Sequence, residues 1–182
     1  KNNFNYYVKN VISAGKNNIE YDASPHVKFS NIFELVSSFP LINKKENFVN
    51  YLNPKVSLRI NPSDMKSYKN ENRQINNENL FNIDRLGLDD TLESGKSLTM
   101  GLDYKKERID DINKYFELKI GTVLRTKSND HIPLNSTLDK KNSNYFGKIS
   151  NSLNDNFNLN YEFSIDNNLN EIQYTALGAT IT

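Results

Sequence analysis

The side chains with the chemistry of a reactive site are few in this sequence, and their spacing builds little. The two histidines, His26 and His131, lie far apart and neither has a partner ligand four residues on, so neither spacing makes a metal site. Asp89-Asp90 and Asp110-Asp111 are adjacent carboxylates, which point apart on an extended chain and suit loop tips. No nucleophile or base accompanies them for general acid–base work. Gly87 and Gly95 lack the Gly-x-Gly or Gly-Lys-Ser/Thr context of a phosphate-binding loop. Cysteine is absent, which removes disulfides and thiolate metal ligands. No catalytic residue, cofactor or metal is expected, and an enzyme is not expected.

What stands out is a long link, Asn61–Gly95, because loops beyond about 15 residues without structure of their own are uncommon and often functional. It carries Leu80, Phe81, Ile83, Leu86 and Leu88, too apolar for a freely solvated loop. Within it, Arg85 should meet a carboxylate, with Asp89 or Glu93 the nearest candidates, since a desolvated guanidinium pairs best with a bidentate acceptor. Gly87 allows a backbone turn closed to other residues. Asn79, Leu80, Phe81, Arg85, Gly87, Asp89, Glu93 and Gly95 are therefore expected to hold the loop in a fixed shape. That shape either packs the loop onto its neighbours or caps a lumen beneath it.

The elements that must position this loop are strands. Phe157, Leu159, Tyr161, Phe163 and Ile165 are apolar at consecutive odd positions, while Asn158, Asn160, Glu162 and Ser164 lie between them, and a period of two puts the sets on opposite faces. Ile172, Tyr174, Ala176 and Gly178 extend the apolar theme opposite Glu171, Gln173 and Thr175. Leu98–Tyr104, Phe116–Thr122 and Leu52–Ile60 alternate likewise, and Val27–Phe33 does so less regularly. About seven or eight strands result, and no convincing helix; Lys105–Lys114 reads as a turn. Short links fall at Lys106–Asn113, Leu153–Asn156 and Ser38–Asn47, and long ones at Asn61–Gly95 and Lys127–Ser143. Short turns on one rim and long loops on the other mark outer-membrane barrels. Aromatics near predicted strand ends, among them Tyr104, Tyr115, Phe146 and Tyr174, suit interfacial girdles.

Composition is compatible with such a barrel. The net charge of +1 comes from 23 basic and 22 acidic residues, with no basic cluster to suggest nucleic acid. No run approaches the roughly 18 apolar residues of a membrane helix, and low mean hydropathy fits a polar inner wall as well as a soluble domain. Asparagine occurs 31 times and lysine outnumbers arginine 18 to 5, a skew read as a compositional bias of the genome. Both ends fall in mid-pattern, so residues 1–182 are expected to be part of a longer chain, one partial outer-membrane β-barrel domain. A soluble β-sandwich also alternates polar and apolar residues, and on pattern alone the two architectures stay open.

Asn79-Leu80-Phe81, followed by Arg85, Gly87, Asp89, Glu93, Gly95 and Gly101-Leu102, resembles the LptD (OstA) family of lipopolysaccharide-assembly proteins. Leu52-Asn53-Pro54-Lys55-Val56 upstream is similar to that family's strand into the same loop. Ile120-Gly121, Arg125, Ser136, Ser143 and Gly147 continue the likeness, which runs over about residues 20 to 175. One departure concerns Asp90 and Thr91, which follow Asp89 where the family commonly has Arg, so no contact of that Arg carries over. The resemblance implies an all-β antiparallel meander, an interior arc of a large transmembrane barrel in the cell outer membrane. The implied function is the translocon that inserts lipopolysaccharide into the outer leaflet. The implied partners are lipopolysaccharide, membrane lipid, an LptE-like lipoprotein plug inside the barrel and a periplasmic Lpt bridge reached through an N-terminal domain outside this sequence. On that reading Asn158, Asn160, Glu162 and Ser164 face the lumen. A passive porin and a soluble β-sandwich binding module are the alternatives.

Overall fold

A computed structural model describes residues 1–15, 24–154 and 156–181, with backbone alone at Leu153 and Asn154. The alternating segments form one antiparallel sheet of nine strands. They are β1 (Asn2–Ser13), β2 (His26–Ser38), β3 (Leu41–Lys44), β4 (Phe48–Asn61), β5 (Gly95–Arg108), β6 (Tyr115–Arg125), β7 (Tyr145–Asn154), β8 (Phe157–Ile165) and β9 (Ile172–Ile181). Spatial order follows chain order, with β3 set beside β4, and the sheet is open, since β1 and β9 do not pair with each other. Among the described residues there is no α-helix, only one 3₁₀ turn at Leu134–Ser136.

The ninth strand is β3, inside the expected link Ser38–Asn47. Proline has no N–H to give a ladder, and at Pro40 β2 breaks off; the chain resumes at Leu41 and pairs with the lower half of β4. Four residues after a proline carry too little alternation to be read from sequence.

Every link follows the strand parity. The end of β1 and the start of β2, with the links 62–94, 126–144 and 166–171, mark one rim, while 39–47, 109–114 and the end of β7 with the start of β8 mark the other. Residues 16–23 and 155, which fall within two of these links, lie outside the described residues.

The two faces of the sheet are inverted relative to a soluble domain. Along β4 the polar Ser57 and Arg59 are buried, while their neighbours Leu58 and Ile60 are 50% and 45% exposed. On the same bare face Phe4, Tyr6, Phe29, Phe33 and Leu177 stand exposed, and among the described residues no second sheet covers them. Where a glycine leaves a gap there, an aromatic fills it: a Cβ built on Gly147 would fall 1.9 Å from the ring of its cross-strand neighbour Phe163.

The opposite face is covered instead by its own loops. Links 62–94 and 127–144 fold back over the sheet and enclose a cluster of Tyr68, Ile75, Leu80, Leu86, Leu88, Ile132 and Leu138, to which the sheet adds Val123 and Phe146. The core of this chain is thus built mostly from loop residues. Phe146, expected in an interfacial girdle, is one of them, because its register on β7 turns it inward. In β9, Tyr174, Ala176 and Gly178 pair with Ser164, Glu162 and Asn160 and so lie on the loop-bearing face, while Thr175, Leu177 and Ala179 lie on the bare one. This reverses the sequence reading for Tyr174, Ala176 and Gly178, while Ile172, opposite Ile165, stays on the bare face. An irregularity in register between Ser164 and Ile165 shifts the strand by one residue, and a one-residue slip flips every side chain.

Candidate functional site

The loop 62–94 is seated by two contacts that the sequence motif supplies. The first is apolar. Gly101 of β5 and Gly121 of β6 are directly opposite each other, leaving a flat saddle on the loop-bearing face. A Cβ on Gly101 would lie 2.7 Å from the Phe81 ring, and one on Gly121 would lie 2.4 Å from Leu80 Cδ2. Leu80 and Phe81 therefore sit where side chains are missing, and the Lys55 ammonium lies 4.9 Å from the Phe81 ring centre, a geometry in which a cation is attracted by the ring face.

The second contact is ionic. Arg85 is fully buried and meets Glu93 through two parallel bonds, Nε and Nη2 each donating at 2.6 Å, the bidentate geometry that suits guanidinium and carboxylate. Two of its other donors go to Thr99 Oγ1 at 2.9 Å and Ser97 Oγ at 3.2 Å on β5. Glu93 also accepts from Arg59 of β4 at 3.1 Å and from Arg125 of β6. The Glu93 carboxylate thus ties the loop to β4 and β6 directly, and its partner Arg85 ties it to β5. Burial alone would raise the Glu93 carboxyl, but Arg85, Arg59 and Arg125 together hold it well below the usual carboxylate range. Glu34 of β2 completes the cluster, accepting from Ser57 at 2.8 Å and Asn5 at 3.0 Å, with Arg59 Nε 4.0 Å away.

Smaller contacts hold the loop edges. From β1, the Lys9 ammonium donates to Asp84 at 2.9 Å and to the carbonyl of Leu88. From β7, Lys148 donates to Glu78 at 2.8 Å. Asn79 folds the loop on itself, accepting from the Asn76 amide and donating to the Gln74 carbonyl. Gly87 has φ +56° and Gly95 φ +95°, both in the region that favours glycine. At Gly95 a side chain would also strike Arg125 Nη2, 2.9 Å away.

Asp89 is exposed at the loop surface and does not join Arg85. Its neighbour Asp90 is the buried one, accepting from the Tyr68 hydroxyl and from Lys66 at 3.3 Å. Burial and the bond to Asp90 push the Tyr68 hydroxyl up; burial raises Asp90, but Tyr68 and Lys66 lower it further, so the proton stays on the phenol. The position after Asp89 thus carries a buried pair of its own.

The strand positions Asn158, Asn160, Glu162 and Ser164 all lie on the loop-bearing face. Asn160 accepts from Ser150 at 2.7 Å, Glu162 pairs with Lys148 at 3.0 Å, and Ser164 accepts from Asn144 at 2.8 Å. Lower on this face, pairs such as Lys55–Asp103 at 2.6 Å and Lys119–Glu117 at 3.1 Å leave a polar wall with signs balanced.

Sequence reasoning offered Asp89 or Glu93 as the partner of Arg85, named Arg125 and Asp90 without giving them buried partners, and assigned no such role to Arg59 or Glu34. A usable signal was present: only five arginines occur among 23 basic residues, and three of them are in this cluster. Among the described residues no group of histidines and carboxylates is arranged to hold a metal ion.

Among protein families, the one described as LptD: LPS transport system D matches residues 6–182. No curated protein matches the chain.

Proposed function

The chain belongs to the LPS transport system D family, and from that membership we propose that it forms an interior arc of the barrel that inserts lipopolysaccharide into the outer leaflet of the outer membrane. The observation that carries this reading is the inversion of the sheet. Contiguous exposed apolar patches larger than a few hundred Å² are rare on soluble monomers, yet here apolar side chains crowd the bare face and buried charge lies on the other. Lipid against the bare face accounts for both. The alternation of apolar and polar residues then separates an acyl-chain environment from a polar passage.

In this reading the long-link rim is extracellular and the short-link rim periplasmic. The stapled loops 62–94 and 127–144 cap the mouth, and the polar wall beneath them, with Asn158, Asn160, Glu162 and Ser164, lines the lumen. An LptE-like lipoprotein plug meets that wall, and the periplasmic bridge delivers lipid through a domain N-terminal to residues 1–182, which are one part of the barrel domain. The work is done by shape and polarity, without bond chemistry, so the protein is not an enzyme.

A photo-cross-linking amino acid at Asn158, on the loop-bearing face near the short-link rim, tests this in cells making the full-length protein. Capture of lipopolysaccharide at Asn158 but not at outward-facing Leu159 is the expected result. Capture at neither position, in protein that reaches the outer membrane, would overturn the transport reading.

A further inference from the structure

Resting on the transport reading, we propose that the cavity between the two loops and the β8–β9 hairpin is a subsite for the sugar rings of the transported glycolipid. The cavity has a volume of about 320 Å³, within the range of small-molecule sites, roughly 300–1,000 Å³. Five amide side chains line it: Gln74 and Asn76 from one loop, Asn135 and Asn144 from the other, and Gln173 from β9. An aromatic ring, Tyr174, stands at its edge and is 42% exposed.

The hydrogen bonds already made show what capacity is left. Asn144 is buried and gives its amide hydrogens to Ser164 and to Gln173 Oε1, both at 2.8 Å. Gln173 is thereby fixed with its carbonyl engaged and its NH₂ available to a ligand. Asn76 uses Oδ1 to accept from the amides of Glu78 and Asn79, which leaves its NH₂. Asn135 gives its NH₂ to Asn72 at 3.0 Å, which leaves its carbonyl. The site therefore offers neutral donors and a neutral acceptor at fixed places beside an aromatic face. Hydroxyl groups, which donate and accept, satisfy both kinds, and the C–H face of a pyranose ring can lie on Tyr174.

A phosphate fits less well. The guanidinium groups of Arg59, Arg85 and Arg125 are committed to Glu93, away from this cavity. Glu162, which lines it, adds a carboxylate, and among the described residues Lys140 is the one cation on its lining.

The test uses full-length protein with its partners in detergent, and as probe the lipid-free oligosaccharide released by mild acid from lipopolysaccharide of the same bacterium. Saturation-transfer NMR and calorimetry read binding. Tyr174→Ala and Gln173→Ala should each weaken it about tenfold, the equivalent of about 1.4 kcal/mol, while Tyr174→Phe should retain it. Heat-modifiable migration on gels verifies that each variant is folded. Equal affinity in all variants, no binding by the wild type, or displacement of the sugar by inorganic phosphate would overturn the proposal. Lipopolysaccharide capture at Asn158 is independent of these outcomes, so the subsite can fail while the transport reading stands.

Discussion

Replacing Glu93 with glutamine should detach the loop while leaving the strands in place. Arg85 and Glu93 are almost wholly shielded from solvent, and the same carboxylate serves Arg59 and Arg125. Glutamine keeps one acceptor but turns two hydrogens toward three guanidinium groups. The nearest remaining anion, Glu34, reaches only Arg59, at 4.0 Å. Breaking a buried pair so that charge is left uncompensated costs about 3–5 kcal/mol. At about 1.4 kcal/mol per factor of ten, the open population of the loop should rise by roughly two to four orders of magnitude. Hydrogen exchange read by mass spectrometry on the full-length protein should show that loss of protection in 62–94 and 127–144, with β7–β9 unchanged. Adding Arg85→Met should restore part of it, because the unpaired charge goes with the arginine. Unchanged exchange in Glu93→Gln would refute the reasoning, and a double variant no better than the single one would assign the effect to packing.

Acid tests the same cluster from another side. Glu93 has its folded-state pKa depressed below the ordinary 4.5, so its contribution is complete above that value and is lost only as pH falls through the lower folded value; protease protection of the loop should survive acidification past 4.5. Gly121→Ala, whose Cβ would fall 2.4 Å from Leu80, should cost about 1–3 kcal/mol by overpacking, measured as a lower unfolding midpoint of the loop. Single cysteines at exposed Ser67 and Ile112 should differ in intact cells, the first reacting with an impermeant maleimide and the second not; equal labelling would contradict the rim assignment.

The strands were legible because burial on one side only writes a period of two into the chain, clearest at Phe157–Ile165. It failed at β9, where an irregularity of register leaves no compositional trace, and at β3, which is too short for a period. A carboxylate partner for Arg85 within its own loop was legible, with Asp89 and Glu93 both open, because the two lie four and eight residues further on. Arg59 and Arg125 were not, because strand sequences state which face a residue takes but not what folds over that face. Glycine at 101 and 121 was visible in the sequence, but its use as a seat for Leu80 and Phe81 depends on cross-strand register.

The most direct test of the account is a spin-label scan of Phe157–Ile165, one cysteine at a time, in full-length protein in liposomes. Collision rates with oxygen, which partitions into lipid, and with a water-soluble nickel chelate report what each side chain meets. The account predicts a period of two, with Leu159, Tyr161 and Phe163 open to oxygen and Asn158, Asn160 and Glu162 shielded from it. Uniform rates along the strand, or the opposite phase, would contradict it.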